Sequence, residues 1–380
     1  MMRYFALVAM VVTVIAAHAE DRPLVTGGIT DKPFITSTGS GTRIGGYMET
    51  HFRWEREAGL TEELTFEAKR FNLFAYAPIS DRLRMVAELE FEEGGEEIVV
   101  EAALMDFEIH PELTFRAGML LAPLGRFNLA HDSPANELTD RPLVSTDLIG
   151  TALSEVGMGF HGALYPTPKA RLTYEIYAVN GYDDGVLTGD AAGTRIPAGK
   201  SNLEDNNRRP SWVGRIGFSP VPAAEIGFAA HTGPINEWEV DGLEVDERRD
   251  LTLWVVDLQG RLAGFSAEAE IAGASIDAPS TQPLLASSQS GYYGQISRPF
   301  GQGWFAGLPT SSFTGVARWG SVDFDDDTDG DHQTRLTLGV NFRPVPDAVF
   351  KLDYQYNWHR DGFDNEATSA ALLFSAATYF

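Results

Sequence analysis

Residues 350–359 alternate with a period of two. Phe350, Leu352, Tyr354, Tyr356 and Trp358 share one face; Lys351, Asp353, Gln355, Asn357 and His359 share the other. Only an extended strand separates neighbours in this way, and such a strand lays one face on apolar material and wets the other. The pattern recurs at 335–343, where Leu336, Leu338, Val340 and Phe342 oppose Arg335, Thr337, Gly339, Asn341 and Arg343. At 82–91, Leu83, Met85, Ala87, Leu89 and Phe91 oppose Arg82, Arg84, Val86, Glu88 and Glu90. The last segment alternates through Leu372, Phe374, Ala376 and Thr378 and ends on Tyr379-Phe380. A soluble β-protein has no reason to end its final strand on an exposed Phe, whereas a strand facing lipid does.

The amino end fits export. Arg3 is a short positive region, Tyr4 to Ala16 is apolar and uncharged, and Ala17-His18-Ala19 forms an A-x-A cleavage site before Glu20. The expected layout is a signal peptide over 1–19, a flexible periplasmic lead over 20–42, rich in Thr, Gly and Ser, and a membrane barrel over 43–380. No other stretch is long and apolar enough to cross a bilayer as a helix.

Connections alternate in length. The tight ones carry proline, at Pro78-Ile79-Ser80-Asp81, His110-Pro111-Glu112, Pro166-Thr167-Pro168, Pro220-Val221-Pro222 and Pro344-Val345-Pro346. Proline fixes φ and cannot donate to a ladder, so it ends strands. Longer polar loops lie near 123–154, 183–208, 234–248, 276–286 and 324–332. Short turns on one side and long loops on the other mark a transmembrane antiparallel β-barrel of about 16 strands, large enough to enclose an aqueous channel. Strand starts fall near 44, 64, 82, 97, 113, 155, 171, 210, 224, 249, 265, 287, 311, 333, 348 and 367. Segment 299–310 counts as a turn on the short side but is too long for one, so a miscounted pair of strands would surface there.

Composition removes other classes. With no cysteine, disulfides and thiolate metal sites are excluded. A net charge of -25 argues against nucleic-acid binding. Hydrophobic content of 43% does not separate a soluble protein from a membrane barrel, because lipid-facing and lumen-facing residues average out. No G-x-S-x-G, H-E-x-x-H, Walker loop or G-x-G-x-x-G is present, so neither an enzyme nor a cofactor is expected.

Several short runs carry a family likeness. They are Ile44-Gly45-Gly46-Tyr47, Ser80-Asp81-Arg82-Leu83 leading into Glu88-Leu89-Glu90, Arg116-Ala117-Gly118-Met119 running into Pro123-Leu124-Gly125, and Asp140-Arg141-Pro142. Gly157-Met158-Gly159, Tyr177-Ala178-Val179-Asn180-Gly181 and Leu338 to Pro344 through Lys351-Leu352-Asp353-Tyr354-Gln355 follow in order. Across nearly all of the mature chain this resembles the phosphate-selective porin O/P family and its broader outer-membrane porin relatives. The resemblance implies a 16-stranded homotrimeric barrel in the outer membrane of a Gram-negative bacterium, with a constricting loop folded into its lumen. The terminal Phe380 is similar to the strand end that the barrel-assembly machinery reads. Outer-membrane lipid and lipopolysaccharide are the expected surroundings. The implied function is passive diffusion of small hydrophilic solutes or ions, anions such as phosphate among them. The alternative is a non-conducting barrel serving adhesion or structure.

Segment 123–154 is the candidate constriction, since a long connection in a compact fold usually serves function. It holds Arg126, His131, Asp132, Glu137, Asp140, Arg141 and Asp147. Folded inward, it would focus field on a passing ion; folded outward, it would be an ordinary mixed-charge loop. Arg82, Arg84, Arg116, Arg126 and Arg141 could line an anion path, because guanidinium suits phosphate geometry. Equally, they could pair with Glu88, Glu90, Asp106 and Glu108 across the wall, which would leave weak selectivity. His131-Asp132 invites comparison with a hydrolase dyad, but adjacent residues on a strand point to opposite faces, which argues against one. Asp325, Asp327 and Asp329 partly match a calcium loop, but position twelve is Leu336 rather than Glu, which favours a solvated acidic loop.

Overall fold

Each alternating segment becomes a strand of one closed antiparallel barrel in the computed structural model, which describes Lys32, Ile35 and residues 41–187, 193–282 and 284–380. The expected signal peptide lies outside the described residues. The strands begin with β1 (Arg43–Glu57), β2 (Leu60–Pro78), β3 (Leu83–Glu92), β4 (Glu97–His110), β5 (Leu113–Leu121) and β6 (Ser154–Leu164). Then come β7 (Arg171–Val179), β8 (Ser211–Val221), β9 (Ala224–Pro234), β10 (Glu239–Val240), β11 (Leu243–Glu244) and β12 (Asp250–Leu262). The chain finishes with β13 (Phe265–Ile276), β14 (Ser288–Phe300), β15 (Ser312–Asp323), β16 (His332–Val345), β17 (Ala348–Arg360) and β18 (Glu366–Tyr379). β10 and β11 form a separate small hairpin within a loop; the other sixteen strands pair with their neighbours around the barrel, and β1 closes it against β18.

The seam shows why the carboxyl end is aromatic. The Phe380 amide donates to the Gly46 carbonyl at 3.1 Å, and the Gly46 amide donates back at 3.3 Å. The Phe380 ring stacks on Phe71 at 5.7 Å, on the outer surface. The rest of that surface is apolar, as the alternation predicts: Met85, Met105, Phe107, Ile216, Phe228, Leu352 and Phe374 are all exposed. Aromatic clusters border it at both ends. Trp319, Tyr356 and Trp358 meet at the long-loop end, with centroids 5.6 and 4.6 Å apart. Phe300, Trp304, Phe305, Phe313 and Phe342 meet at the other. An apolar band between aromatic girdles suits lipid with an interface on each side.

Segment 301–311 hides no strands. It is a long turn that stacks Trp304 and Phe305 on the ends of β15 and β16, so its length follows from the aromatic cluster it carries.

The inner surface is mixed. Toward the long-loop end its β12 side is apolar. Leu148, Ile149, Tyr182, Val186 and Ile196, from two inward-folded loops, are at most 1% exposed and pack against Leu251, Leu253 and Val255 of β12. At mid-height and toward the short turns it is polar, lined by Glu49, Glu88, Arg215, Asp257, Glu270, Lys351 and Asp353.

Candidate pore constriction

The connection from β5 to β6 folds into the lumen. It turns at Gly125, whose φ of +82° is open to glycine, and a Cβ there would sit 3.2 Å from the Glu270 carboxylate. A helical turn, Arg126–Leu129, follows. The Phe127 amide donates to Glu270 Oε1 at 2.7 Å, which ties the turn to β13 across the barrel. Asn128 staples the loop's two ends, donating to the Ala122 and Leu153 carbonyls and accepting from the Leu153 amide.

Residues 131–140 then run along the wall made by β1 and β15–β18, held by charge. Asp132 accepts from Tyr379 Oη at 2.9 Å. Ser133 Oγ donates to Glu49 at 2.5 Å. Lys351 Nζ donates to the Ser133 and Leu138 carbonyls at 2.8 and 3.3 Å. Glu137 takes Asn341 at 2.6 Å and Arg343 at 3.5 Å. The Thr139 amide donates to Asp353 at 2.7 Å. Asp140 receives two bonds from Arg53, at 2.7 and 2.9 Å, and one from Gln355 at 3.0 Å. Burial opposes its ionisation, but Arg53 and Arg335 beside it hold the carboxyl down at about 2.

His131 points away from this wall. Its Nδ1 lies 2.9 Å from the Asn128 carbonyl and so carries the proton of that bond; its Nε2 faces Glu101 of β4. Burial, reinforced by Arg141, pulls the imidazole down to about 4, against the pull of Asp132 and Glu90. His131 and Asp132 therefore diverge, to Glu101 and to Lys32, and no hydrolase dyad forms. Glu101 itself is the extra residue of a β-bulge between Glu88 and Leu89 of β3, which turns its side chain inward beside Ala102.

The other expected pore residues divide. Glu88 and Glu90 are buried in the lumen, the first bonded to Asn72 at 3.2 Å and the second paired with Arg70 at 2.8 Å. Arg116 makes a two-pronged bond to Asp106 at 2.8 and 2.9 Å. Arg84 lies 3.7 Å from Glu108. These pairs are the cancelling arrangement rather than a free cationic path. Arg126 is half-buried and lines a lumen cavity. Arg141 donates to the Thr151 carbonyl at 3.1 Å, and its Nε and Nη2 are buried with no hydrogen-bond partner among the described residues. Arg82 is a correction: it precedes β3, is exposed on the short-side turn, and lines nothing. The acidic loop at 324–332 is turned on its own neighbours. Asp325 and Asp327 turn to the Asp327 amide and Ser287 Oγ, and among the described residues no group of three or more His, Cys, Asp or Glu is placed to hold a metal ion.

The wall cations Arg53, Arg335, Arg343 and Lys351 were not singled out in the sequence, although alternation put the last three on the wet faces of β16 and β17. The bulge hid Glu101. Lys32, expected in the lead, is instead buried between Glu88 and Asp132, and Ile35 is buried in the apolar cluster of the lumen.

A cavity of about 510 Å³ remains on the short-turn side of the loop. Arg126, Glu137, Gln259, Glu268, Tyr293 and Arg343 are among its lining residues. On the other side, Arg53, Arg195, Arg335 and Asp140 stay 16 to 26% exposed, which marks a second wet space. The loop stands between the two.

No family model matches the chain. An uncharacterised protein of Aquifex aeolicus is 33% identical over 148 residues, which are 37% of this chain and 32% of that protein; the chain thus spans about a third of the length of this curated relative. Solved structures share the fold over nearly their whole length. The outer membrane channel DcaP of Acinetobacter baumannii aligns over 91% of this chain and 99% of its own, with a TM-score of 0.56 and 11% identity. The anion-selective porin from Comamonas acidovorans aligns over 90% and 100%, with a TM-score of 0.59 and 9% identity. The trimer form of OmpT, an outer membrane protein of Vibrio cholerae, aligns over 90% and 100%, with a TM-score of 0.53 and 10% identity. The closed sixteen-stranded fold of this chain is that of outer-membrane porins.

Proposed function

We propose that this chain is a weakly selective porin. It passes small hydrophilic solutes and ions through the outer membrane of a Gram-negative bacterium, working as a homotrimer. The observation that carries this reading is the charged loop folded inside a closed barrel, with a wet space on either side of it. Proteins of the same fold are described as a channel, an anion-selective porin and a trimer. Selectivity is a matter of net fixed charge in the narrows. Here Arg116 meets Asp106, Arg70 meets Glu90, Arg215 meets Asp257, and Arg343 meets Glu137. Opposite charges at contact distance leave little field beyond a Debye length of about 10 Å at 0.1 M salt. Phosphate therefore gains no dedicated path, and the phosphate selectivity of the resembled family is not carried over.

The test is a planar-bilayer recording under a tenfold KCl gradient, repeated with phosphate added. Discrete conductance steps with a small reversal potential are expected, and phosphate should not block. A near-ideal anion potential with block by phosphate would overturn weak selectivity and restore Arg126 and Arg141 as a substrate path. Complete absence of steps would favour a non-conducting barrel, the reading that the apolar filling around Leu148, Tyr182 and Ile196 supports. Location has its own check: removing Phe380 breaks the seam bonds to Gly46 and should sharply lower the yield of assembled, heat-modifiable barrel.

A further inference from the structure

Lys32 sits in a built seat. Its Nζ lies 2.8 and 2.9 Å from the two Asp132 oxygens and 3.2 Å from Glu88 Oε1, and stands 5.1 Å from the centre of the Phe74 ring. The side chain is 4% exposed. The seat's own groups are fixed independently of the lysine. Tyr379 Oη holds Asp132, while Asn72 Nδ2 holds both Glu88 and Glu101 at 3.2 Å. Its parts come from β2, β3, β4, β18 and the inward loop, so the barrel constructs it and the amino-terminal segment only fills it. Burial alone would discharge the ammonium, but Asp132, Glu88 and Glu101 outweigh that and push its pKa up.

Two carboxylates that share one cation, beside an aromatic face, have the chemistry that recognises a primary alkylammonium. Take Lys32 away and Glu88, Glu101 and Asp132 remain together in one buried place. Ile35, three residues on and 7% exposed, is buried in the apolar cluster and gives the same segment a second hold. We propose that this seat is an alkylammonium-binding site inside the pore, filled by the chain's own Lys32 as a tethered competitor. A free primary amine must displace the lysine to bind. This rests on the channel reading above.

Tethering sets the scale. A ligand on a short tether competes at an effective concentration on the order of mM, so removing it should tighten binding of a free amine by about tenfold or more. The probe is n-butylammonium chloride, added during single-channel recording to the full chain, to Lys32→Gln, and to Lys32→Gln combined with Asp132→Asn. Half-block should fall about tenfold in the single variant and return to the level of the full chain or weaker in the double one. Equal half-block in all three, with channels open, overturns the site and leaves the channel reading intact. If no protein conducts, the channel reading fails, and calorimetric titration of n-butylammonium into detergent-folded Lys32→Gln decides the site alone: heat of binding lost on Asp132→Asn supports it, and no heat overturns it. The chain has no cysteine, which gives a further check that a misfolded variant cannot mimic. In folded, heat-modifiable barrels, Ile35→Cys, which keeps Lys32 in place, should react with a bulky maleimide at least about tenfold more slowly than Arg82→Cys on the exposed turn, whereas equal rates would place this part of the chain outside the lumen and sink the proposal.

Discussion

The inward loop is held at two places by different physics. Residues 131–140 are fastened to β1 and β15–β18 by ion pairs and charge-assisted hydrogen bonds, with Asp140 on Arg53 and Glu137 on Asn341 as the strongest. Residues 143–153 are fastened by apolar burial, with Leu148 and Ile149 packed into the apolar cluster on the β12 side of the long-loop end. Apolar packing is indifferent to pH and salt. A polar fastening depends on protonation, and its net contribution is smaller because each partner gives up water to form it. The stretch that bounds the wet spaces is therefore held by the adjustable fastening, and the stretch packed against the β12 side by the fixed one.

The largest expected effect comes from removing the polar stretch altogether. Deleting 131–140 and joining the ends with glycine should raise single-channel conductance by about threefold, since the narrowest point of a channel sets its resistance. Unchanged conductance would put the constriction in the apolar cluster and invert the comparison. Next comes Leu148→Ala, a cavity in the fixed fastening. It should lower unfolding stability in urea by about 3 kcal/mol while moving conductance little. Asp140→Asn is the matching change in the adjustable fastening. Arg53 keeps Glu55 and Glu63 at 3.6 and 3.7 Å, so the loss should be only about 1 kcal/mol, but open-channel noise should rise as the loop loosens. If Asp140→Asn proved the more destabilising of the two, the ranking would be wrong.

The smallest effect is a pH dependence. His131 titrates at about 4 when docked, below its ordinary 6.5, because burial and Arg141 disfavour the charged ring. The docked loop thus prefers the neutral imidazole. Its stability is full above about pH 6.5, declines as the undocked form takes up a proton, and levels off below about 4. Asp140 stays ionised through that window, so its bonds to Arg53 persist. Acidification from pH 7 to 4 should raise conductance noise in the parent chain and leave His131→Gln unmoved; equal responses would assign the effect elsewhere.

How much of this was legible depended on whether a residue lay in a regular strand. Strands β3 to β18 of the barrel start within about one residue of where alternation placed them, because lipid on one side and polar lumen on the other enforce the period. β2 starts at Leu60 rather than near 64. Its first residues, Leu60-Thr61-Glu62-Glu63, pair with the end of β1 and carry polar side chains at adjacent positions, so the period fades there. Glu101 escaped because a bulge breaks the period at the one point where an extra residue is re-aimed. Lys32 escaped for a different reason. Its partners Glu88 and Asp132 come from distant parts of the chain, and no local pattern encodes such a meeting. The inward course of 123–154 was suggested by its length and charge, but the cations it meets became identifiable only once the register of β16 and β17 set Arg343 and Lys351 opposite it.

The seam between β1 and β18 makes this a molecule that cannot be finished early. The strand closing the ring is the last of the barrel's sixteen along the chain, and its partner is the first. Until Phe380 reaches Gly46, β1 presents a long row of unpaired amides and carbonyls, the kind of edge that recruits other chains. Closure also joins residues at opposite ends of the sequence, which is the slowest sort of contact to find by diffusion. Assembly must therefore keep the two margins apart from every other sheet and bring them together as the final act.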